Sequence, residues 1–90
     1  MILYKTDEQV EQMRQSALLV SHTLTQVAEM LKPGLDTLSI DQLIGTYIRD
    51  HKAIPSFLNY HGYPFNAWIS VNDVVVHGFP NKRELKEGDI

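Results

Sequence analysis

The sequence predicts a chain of the α/β class, in its α+β form, with two helices first and antiparallel strands after them. Two apolar stripes at helical spacing, separated by a Pro-Gly stop, indicate the helices. Two β-rich runs at residues 68–71 and 74–76 indicate the strands, with the turn-forming pair Asn72-Asp73 between them. Ninety residues can form one small domain at most.

The first predicted helix begins at a capping box, with Thr6 as N-cap and Gln9 three residues later. It ends at residues 32–34, Lys-Pro-Gly, because proline cannot continue the hydrogen-bond ladder. A single apolar stripe runs along it: Val10, Met13, Ala17, Val20, Leu24, Val27 and Leu31. A coiled-coil seam is one interpretation of this spacing. Further apolar residues widen the face, which favours packing against a sheet or a core.

A second, shorter helix is predicted to begin near Ser39, where Ser39 and Gln42 form another possible capping box. His51 and Lys52 suit its C-terminal end, where positive charge is favourable, and Pro55 closes the segment. Its apolar residues have the spacing of a buried face: Ile40, Leu43, Ile44, Tyr47 and Ile48.

Composition excludes several classes of function. The net charge is −3 and basic residues are not clustered, which argues against nucleic-acid binding. The chain has no cysteine, so disulfides and thiolate metal sites are excluded. No signal peptide is visible and no apolar run approaches the roughly 20 residues that cross a bilayer. We therefore expect a soluble, cytoplasmic protein without a membrane partner.

Two regions are candidates for function. The Tyr-rich loop at residues 60–64 is either an apolar wall with polar tips or a plug in the core, and composition does not separate the two. His77 follows three valines that are typical of a buried strand, so it is expected at the edge of a sheet. Imidazole can exchange protons near neutral pH, although lone histidines are often structural. Neither His61 nor His77 has a carboxylate at chelating spacing, so no metal site is predicted.

Three segments form one pattern: residues 60–64 (YHGYP), 69–80 (ISVNDVVVHGFP) and 85–90 (LKEGDI). Together with the opening helix and its Lys-Pro-Gly stop, they resemble type I methionine aminopeptidases over essentially the whole chain. The resemblance implies a pita-bread fold, in which helices lie outside a curved antiparallel sheet with a two-metal centre. It also implies removal of the initiator methionine, with a metal-held water attacking the scissile carbonyl. Residues 1–90 would be the incomplete N-terminal portion of a single catalytic domain.

The resemblance also assigns roles to residues. His77 would contact the substrate near the scissile amide as the catalytic histidine. Positions that match Phe57 and Trp68 commonly carry cysteine in the family, so these aromatics would narrow the methionine slot, and Asn59 stands where glycine is common. The substrate-binding set is Tyr60, Tyr63, Phe57, Trp68, His61 and His77.

The metal ligands of the family lie beyond the segment that matches Ile90, and Asp89 belongs to the stretch that leads to the first of them. We therefore expect this segment to hold no metal and to be inactive alone. The full-length protein would use two divalent ions of the Co, Mn, Fe or Zn type. It would act as a monomer on nascent polypeptide N-termini, at the ribosome. A non-catalytic aminopeptidase-like binding module and a small helical interaction domain are the alternative interpretations.

Overall fold

The computed structural model describes all 90 residues, and its regular structure is two α-helices and one 3₁₀ turn. Helix α1 spans Asp7–Met30, helix α2 spans Thr37–Asp50, and the 3₁₀ turn spans Tyr60–Gly62. The two helices pack against each other, and hydrogen bonds hold the later segments to α2. Neither helix is both long and apolar enough to cross a membrane.

The predicted start and end of α1 are confirmed. The Thr6 hydroxyl accepts a hydrogen bond from the Gln9 N–H at 3.1 Å, and the Gln9 side chain accepts one from the Thr6 N–H at 2.9 Å. The helix ends at Met30, and Leu31 is its C-cap before the Lys-Pro-Gly stop. These contacts lie within four residues of each other, which explains why the sequence predicted them correctly.

The predicted burial of the α1 stripe is wrong for most of its length. Five of its apolar side chains are 50% to 62% exposed: Val10, Met13, Val20, Leu24 and Leu31. Burial begins only near Leu19 and reaches its maximum at Thr23, whose hydroxyl donates to the Leu19 carbonyl. The N-terminal half of α1 therefore extends as an exposed arm.

Helix α2 begins two residues before the predicted position. Its N-cap is Asp36, whose carboxylate accepts a hydrogen bond from the Ser39 N–H at 2.7 Å, so the Ser39-Gln42 capping box is wrong. Asn81 also holds this first turn, because its carbonyl accepts from the Leu38 N–H and its N–H donates to the Thr37 hydroxyl. The predicted C-terminal end is confirmed, with His51 as C-cap and its Nδ1 2.8 Å from the Tyr47 carbonyl oxygen.

The predicted antiparallel strands at residues 68–71 and 74–76 do not form. Apart from the bond across the turn at Asn72, no backbone hydrogen bond joins the two runs, and the Ile69 N–H donates at 2.8 Å to the Gly78 carbonyl, which lies beyond the second run. A strand pair needs a repeated ladder of such bonds, and a single bond gives only a loop closed by a turn. The turn at Asn72 is confirmed, since Asn72 has φ of 57° and the Val74 N–H donates to the Val71 carbonyl.

The β pairing that does form is an isolated antiparallel bridge between Asp36 and Glu84. Beside it, the Gly34 N–H donates to the Leu85 carbonyl and the Leu85 N–H donates to the Leu35 carbonyl, each at 2.7 Å. This bridge fastens residues 81–85 to the start of α2.

Candidate functional site

A cluster of aromatic rings surrounds Tyr63, which is 6% exposed. Its ring is stacked on that of Trp68, with 3.7 Å between centroids and 21° between planes. Phe79 and Phe65 meet the same ring edge-on, at 5.1 Å and 5.7 Å. The Tyr63 hydroxyl donates to the Ala67 carbonyl at 2.7 Å, so the buried polar atom is satisfied. The result is a wall of rings whose order depends on Tyr63.

A cavity of about 510 Å³ opens beside this wall; we call it the aromatic cavity. Its lining consists of Phe57, Tyr60, His61, Gly62, Tyr63, Pro64, Trp68, His77 and Phe79. All six residues of the predicted substrate-binding set are therefore brought together, although they come from three separate segments. Phe79 lines the cavity as well, and it was not among the residues predicted for the site.

The floor of the aromatic cavity is the loop from Phe57 to Tyr63. Asn59 has φ of 66°, in the left-handed region that glycine and asparagine adopt most readily. This conformation directs the Asn59 N–H to the Tyr63 carbonyl at 2.8 Å and allows the Tyr60 N–H to reach the Phe57 carbonyl at 3.0 Å. Asparagine at this position is therefore compatible with the turn.

His77 lies in a segment without regular secondary structure, so its predicted place at the end of a buried strand is wrong. Its φ is 57°, and the preceding Val75 and Val76 are 88% and 65% exposed. The imidazole lies 4.8 Å from the Trp68 ring, between centroids. The next residue, Gly78, has no room for a side chain, because a Cβ there would collide with the Ile69 carbonyl oxygen. A histidine in this sparsely populated backbone region is a feature that recurs at functional sites.

The electrostatics of the cavity are set by burial. Desolvation raises the pKa of the Tyr63 hydroxyl, and the nearby negative charge of Asp41 raises this pKa further. Tyr63 therefore remains a hydrogen-bond donor throughout the physiological range.

The donor set of the aromatic cavity does not fit a pair of divalent ions. Its lining includes two imidazoles and two phenol groups, and it includes no carboxylate or thiol. No group of three or more histidine, cysteine, aspartate or glutamate side chains converges anywhere in the 90 residues.

One residue that the sequence did not point to, Asp41, holds the backbone next to the cavity. It lies in the second turn of α2 and is 2% exposed. Its carboxylate accepts hydrogen bonds from the N–H groups of Asn66 and Ala67 and from the Asn66 side-chain amide. The available signal was a carboxylate directly beside Ile40 on the apolar face of a helix, since such groups are buried only when paired.

Comparison with known proteins places the chain in a family. The model of metallopeptidase family M24 matches residues 11–90, so the chain belongs to this family, whose name implies divalent metal. Among curated proteins, the methionine aminopeptidase of Clostridium acetobutylicum is 43% identical over the whole chain, and methionine aminopeptidase 1 of Bacillus subtilis is 39% identical. The chain spans 36% of the length of each.

Solved structures give the same result. The methionine aminopeptidase of Rickettsia prowazekii superposes with a TM-score of 0.95 at 39% identity, and that of Thermotoga maritima with 0.94 at 33%. Each match covers 99% of this chain and 36% of the solved one. The two helices and the loops after them therefore correspond to part of the pita-bread fold.

Proposed function

We propose that the protein carrying this chain removes the N-terminal methionine from polypeptides and that the aromatic cavity receives the methionine side chain. The observation that carries the proposal is the meeting of Tyr60, Tyr63, Trp68 and His77 at one cavity of about 510 Å³. Its size is typical of a small-molecule pocket, and aromatic rings make favourable contacts with a thioether. Phe57 and Trp68 would restrict the cavity to an unbranched side chain.

In this proposal His77 is the catalytic histidine that contacts the peptide near the bond to be cleaved. An imidazole at the mouth of the cavity can donate a hydrogen bond to the scissile amide and stabilise charge that develops there. Trp68 supports this role, because its ring lies against the imidazole and limits where it can move. His61, against the Tyr60 ring at 4.3 Å, would border the entrance.

We also propose that the protein carrying this chain needs divalent metal ions. Two divalent ions of the Co, Mn, Fe or Zn type would supply an activated water, and the side chains of these 90 residues do not offer a ligand set for them. The contribution of this chain is therefore to bind and orient the substrate and, through His77, to stabilise charge near the scissile amide. The substrates would be nascent polypeptides in the cytoplasm, met at the ribosome by a monomeric enzyme.

The test uses the protein that carries this sequence, a peptide that begins with methionine, and a second peptide that begins with leucine. We expect free methionine to be released, and leucine to be released far more slowly because its branched side chain fits the slot poorly. Replacement of His77 by alanine should slow turnover by at least about 100-fold while bound metal remains near the wild-type amount.

His22→Ala is the matched control, since His22 is an exposed residue of α1 outside the cavity. It should leave turnover unchanged. Absence of methionine release from the wild-type protein would contradict the proposed function. Equal loss of activity and bound metal in His77→Ala would contradict the role of His77.

A further inference from the structure

We propose that Asp41 is a positioning residue, which fixes the Tyr63–Trp68 wall of the aromatic cavity from the far side. No part of Asp41 lines the cavity, and its effect passes through the backbone of residues 66 and 67. The consequence for substrate binding rests on the proposed function, and the structural part can be tested without any activity.

The first step is the carboxylate itself. One oxygen, Oδ1, accepts from the Ala67 N–H at 2.8 Å and from the Asn66 N–H at 3.0 Å. The other, Oδ2, accepts from the Asn66 side-chain amide at 3.0 Å. Hydrogen bonds to an ionised acceptor are about twice as strong as neutral ones, and Asp41 is almost fully buried. The loop therefore has one strongly preferred position on α2.

Ala67 connects the loop to the aromatic rings. Ala67 directly precedes Trp68, and both of its backbone polar groups are held: Asp41 accepts from its N–H, and its carbonyl accepts from the Tyr63 hydroxyl at 2.7 Å. A displacement of Ala67 would thus move Trp68 and break the only hydrogen bond of the Tyr63 hydroxyl. The stacking of the two rings depends on this one residue.

The third step is the surface of α2 on which the loop rests. Asp41, Gly45 and Arg49 follow one another at a spacing of four residues and form one face of the helix. Asn66 lies on this face. A Cβ at Gly45 would collide with the Asn66 amide, and an Arg49 nitrogen donates to the Asn66 side-chain oxygen at 3.3 Å. Gly45 and Arg49 therefore hold Asn66 on the helix surface, in addition to the hydrogen bonds of Asp41.

The same helix offers a matched contact that approaches the cavity only through Asn81 and Phe79, and not through residues 66 and 67. Thr37 is 3% exposed, and its hydroxyl accepts from the Asn81 N–H at 2.9 Å. Thr37→Val removes a buried polar contact of α2, as Asp41→Ala does, and leaves the loop at residues 66–67 untouched. A purely structural role for Asp41 predicts similar effects from both variants.

Trp68 is the one tryptophan among the 90 residues, so its fluorescence and near-UV circular dichroism report the position of the wall directly. In this chain we expect a graded loss of the Trp68 near-UV signal, smallest in Asn66→Ala, larger in Asp41→Asn and largest in Asp41→Ala. Thr37→Val should change this signal less than Asp41→Asn does, because its link to Trp68 passes only through Asn81 and Phe79. An unchanged Trp68 signal in both Asp41 variants, or an equal change in Thr37→Val, would overturn the proposal. Far-UV circular dichroism verifies that each variant remains helical. If Asp41→Ala loses its helicity, the Trp68 signal of Asp41→Asn decides the role of Asp41.

In the protein that carries this sequence, Asp41→Asn should raise KM for a methionyl peptide about tenfold while kcat changes less than about twofold, because a loosened wall weakens substrate binding more than the chemical step. A fall in kcat at constant KM would overturn the proposal that Asp41 acts on substrate binding through the position of Tyr63 and Trp68. If the wild-type protein releases no methionine, the proposed function fails, and the Trp68 signal still decides the role of Asp41.

Discussion

Tyr63 joins the aromatic wall to the backbone that carries it. Its ring stacks on Trp68 and meets two phenylalanines edge-on, and its hydroxyl donates to the Ala67 carbonyl. Aromatic contacts of this kind tolerate small shifts, whereas a buried hydrogen bond at 2.7 Å does not. The hydroxyl therefore determines the register of the wall, and the ring supplies most of the buried apolar area.

Tyr63→Phe tests this division of roles. The ring remains, and the Ala67 carbonyl loses its partner, so we expect a loss of about 1 kcal/mol in the free energy of unfolding. Urea denaturation of the protein that carries this sequence measures the loss. Tyr60→Phe is the control, because Tyr60 is largely exposed and should change stability by less than about 0.5 kcal/mol. Equal losses from the two variants would contradict the role given to the Tyr63 hydroxyl.

Among the elements, helix α2 has the most connections. Its N-cap lies at the bridge to Glu84, its first turn holds Asn81, and its second turn holds the loop before Trp68. The first contact is a backbone bridge, and the other two use polar side chains near the N-terminal end, where the free Leu38 N–H also donates to the Asn81 carbonyl. The start of α2 therefore organises both halves of the chain around the aromatic cavity.

The stability of α2 should depend on acid through Asp36. Hydrogen bonds from the Ser39 side chain and from its backbone N–H lower the pKa of the Asp36 carboxyl below 3.8. A carboxyl with a lowered pKa in the folded state stabilises the fold above its ordinary pKa, and this contribution is lost as the pH falls through the folded-state value. We therefore expect this contribution to be constant from neutral pH down to the ordinary pKa, and the melting temperature of the protein that carries this sequence to fall as the pH is lowered below 3.8.

The variant that isolates this effect is Asp36→Asn, which keeps an acceptor oxygen for the cap without an ionisable group. Its melting temperature, followed by far-UV circular dichroism, should depend less on pH than that of the wild-type chain. Asp73→Asn is the control, since Asp73 is exposed and should leave the wild-type pH dependence intact. A parallel pH dependence in Asp36→Asn and the wild type would contradict the assignment.

For the whole molecule, the balance between buried and exposed apolar surface is unusual. Ile40 and Tyr63 are the large apolar side chains that are buried, at 4% and 6% exposure, whereas much of the α1 stripe lies in solvent. A groove of about 590 Å³ between the helices and residues 67–71 adds to this exposed apolar surface. Contiguous apolar surface of this kind favours association and weakens cooperative folding.

We therefore expect the 90-residue chain by itself to melt over a broad range or to self-associate. Light scattering and calorimetry on the same sample measure the two outcomes. A double variant with lysine at Val20 and Leu24 should reduce association while α1 remains helical, and Gln12→Lys, on an already polar position, should not. A sharp two-state transition from a monomer would contradict this expectation.

The sequence by itself determined the features that depend on near neighbours. The Thr6 cap, the end of α1 and the turn at Asn72 were predicted correctly, because their contacts lie within a few residues along the chain. The membership of Tyr60, Tyr63, Trp68 and His77 in one site came from the family pattern, and their meeting at one cavity agrees with it.

Only the tertiary structure decided the rest. Asn81, 44 positions after Thr37, holds the first turn of α2 in addition to its local cap, and Asp41 bonds to Asn66 25 positions later. The runs at residues 68–71 and 74–76 had the composition of strands, yet strands form only when a partner supplies successive hydrogen bonds. Contacts across such separations depend on which segments pack against each other. The local conformational preferences of the residues do not determine that packing.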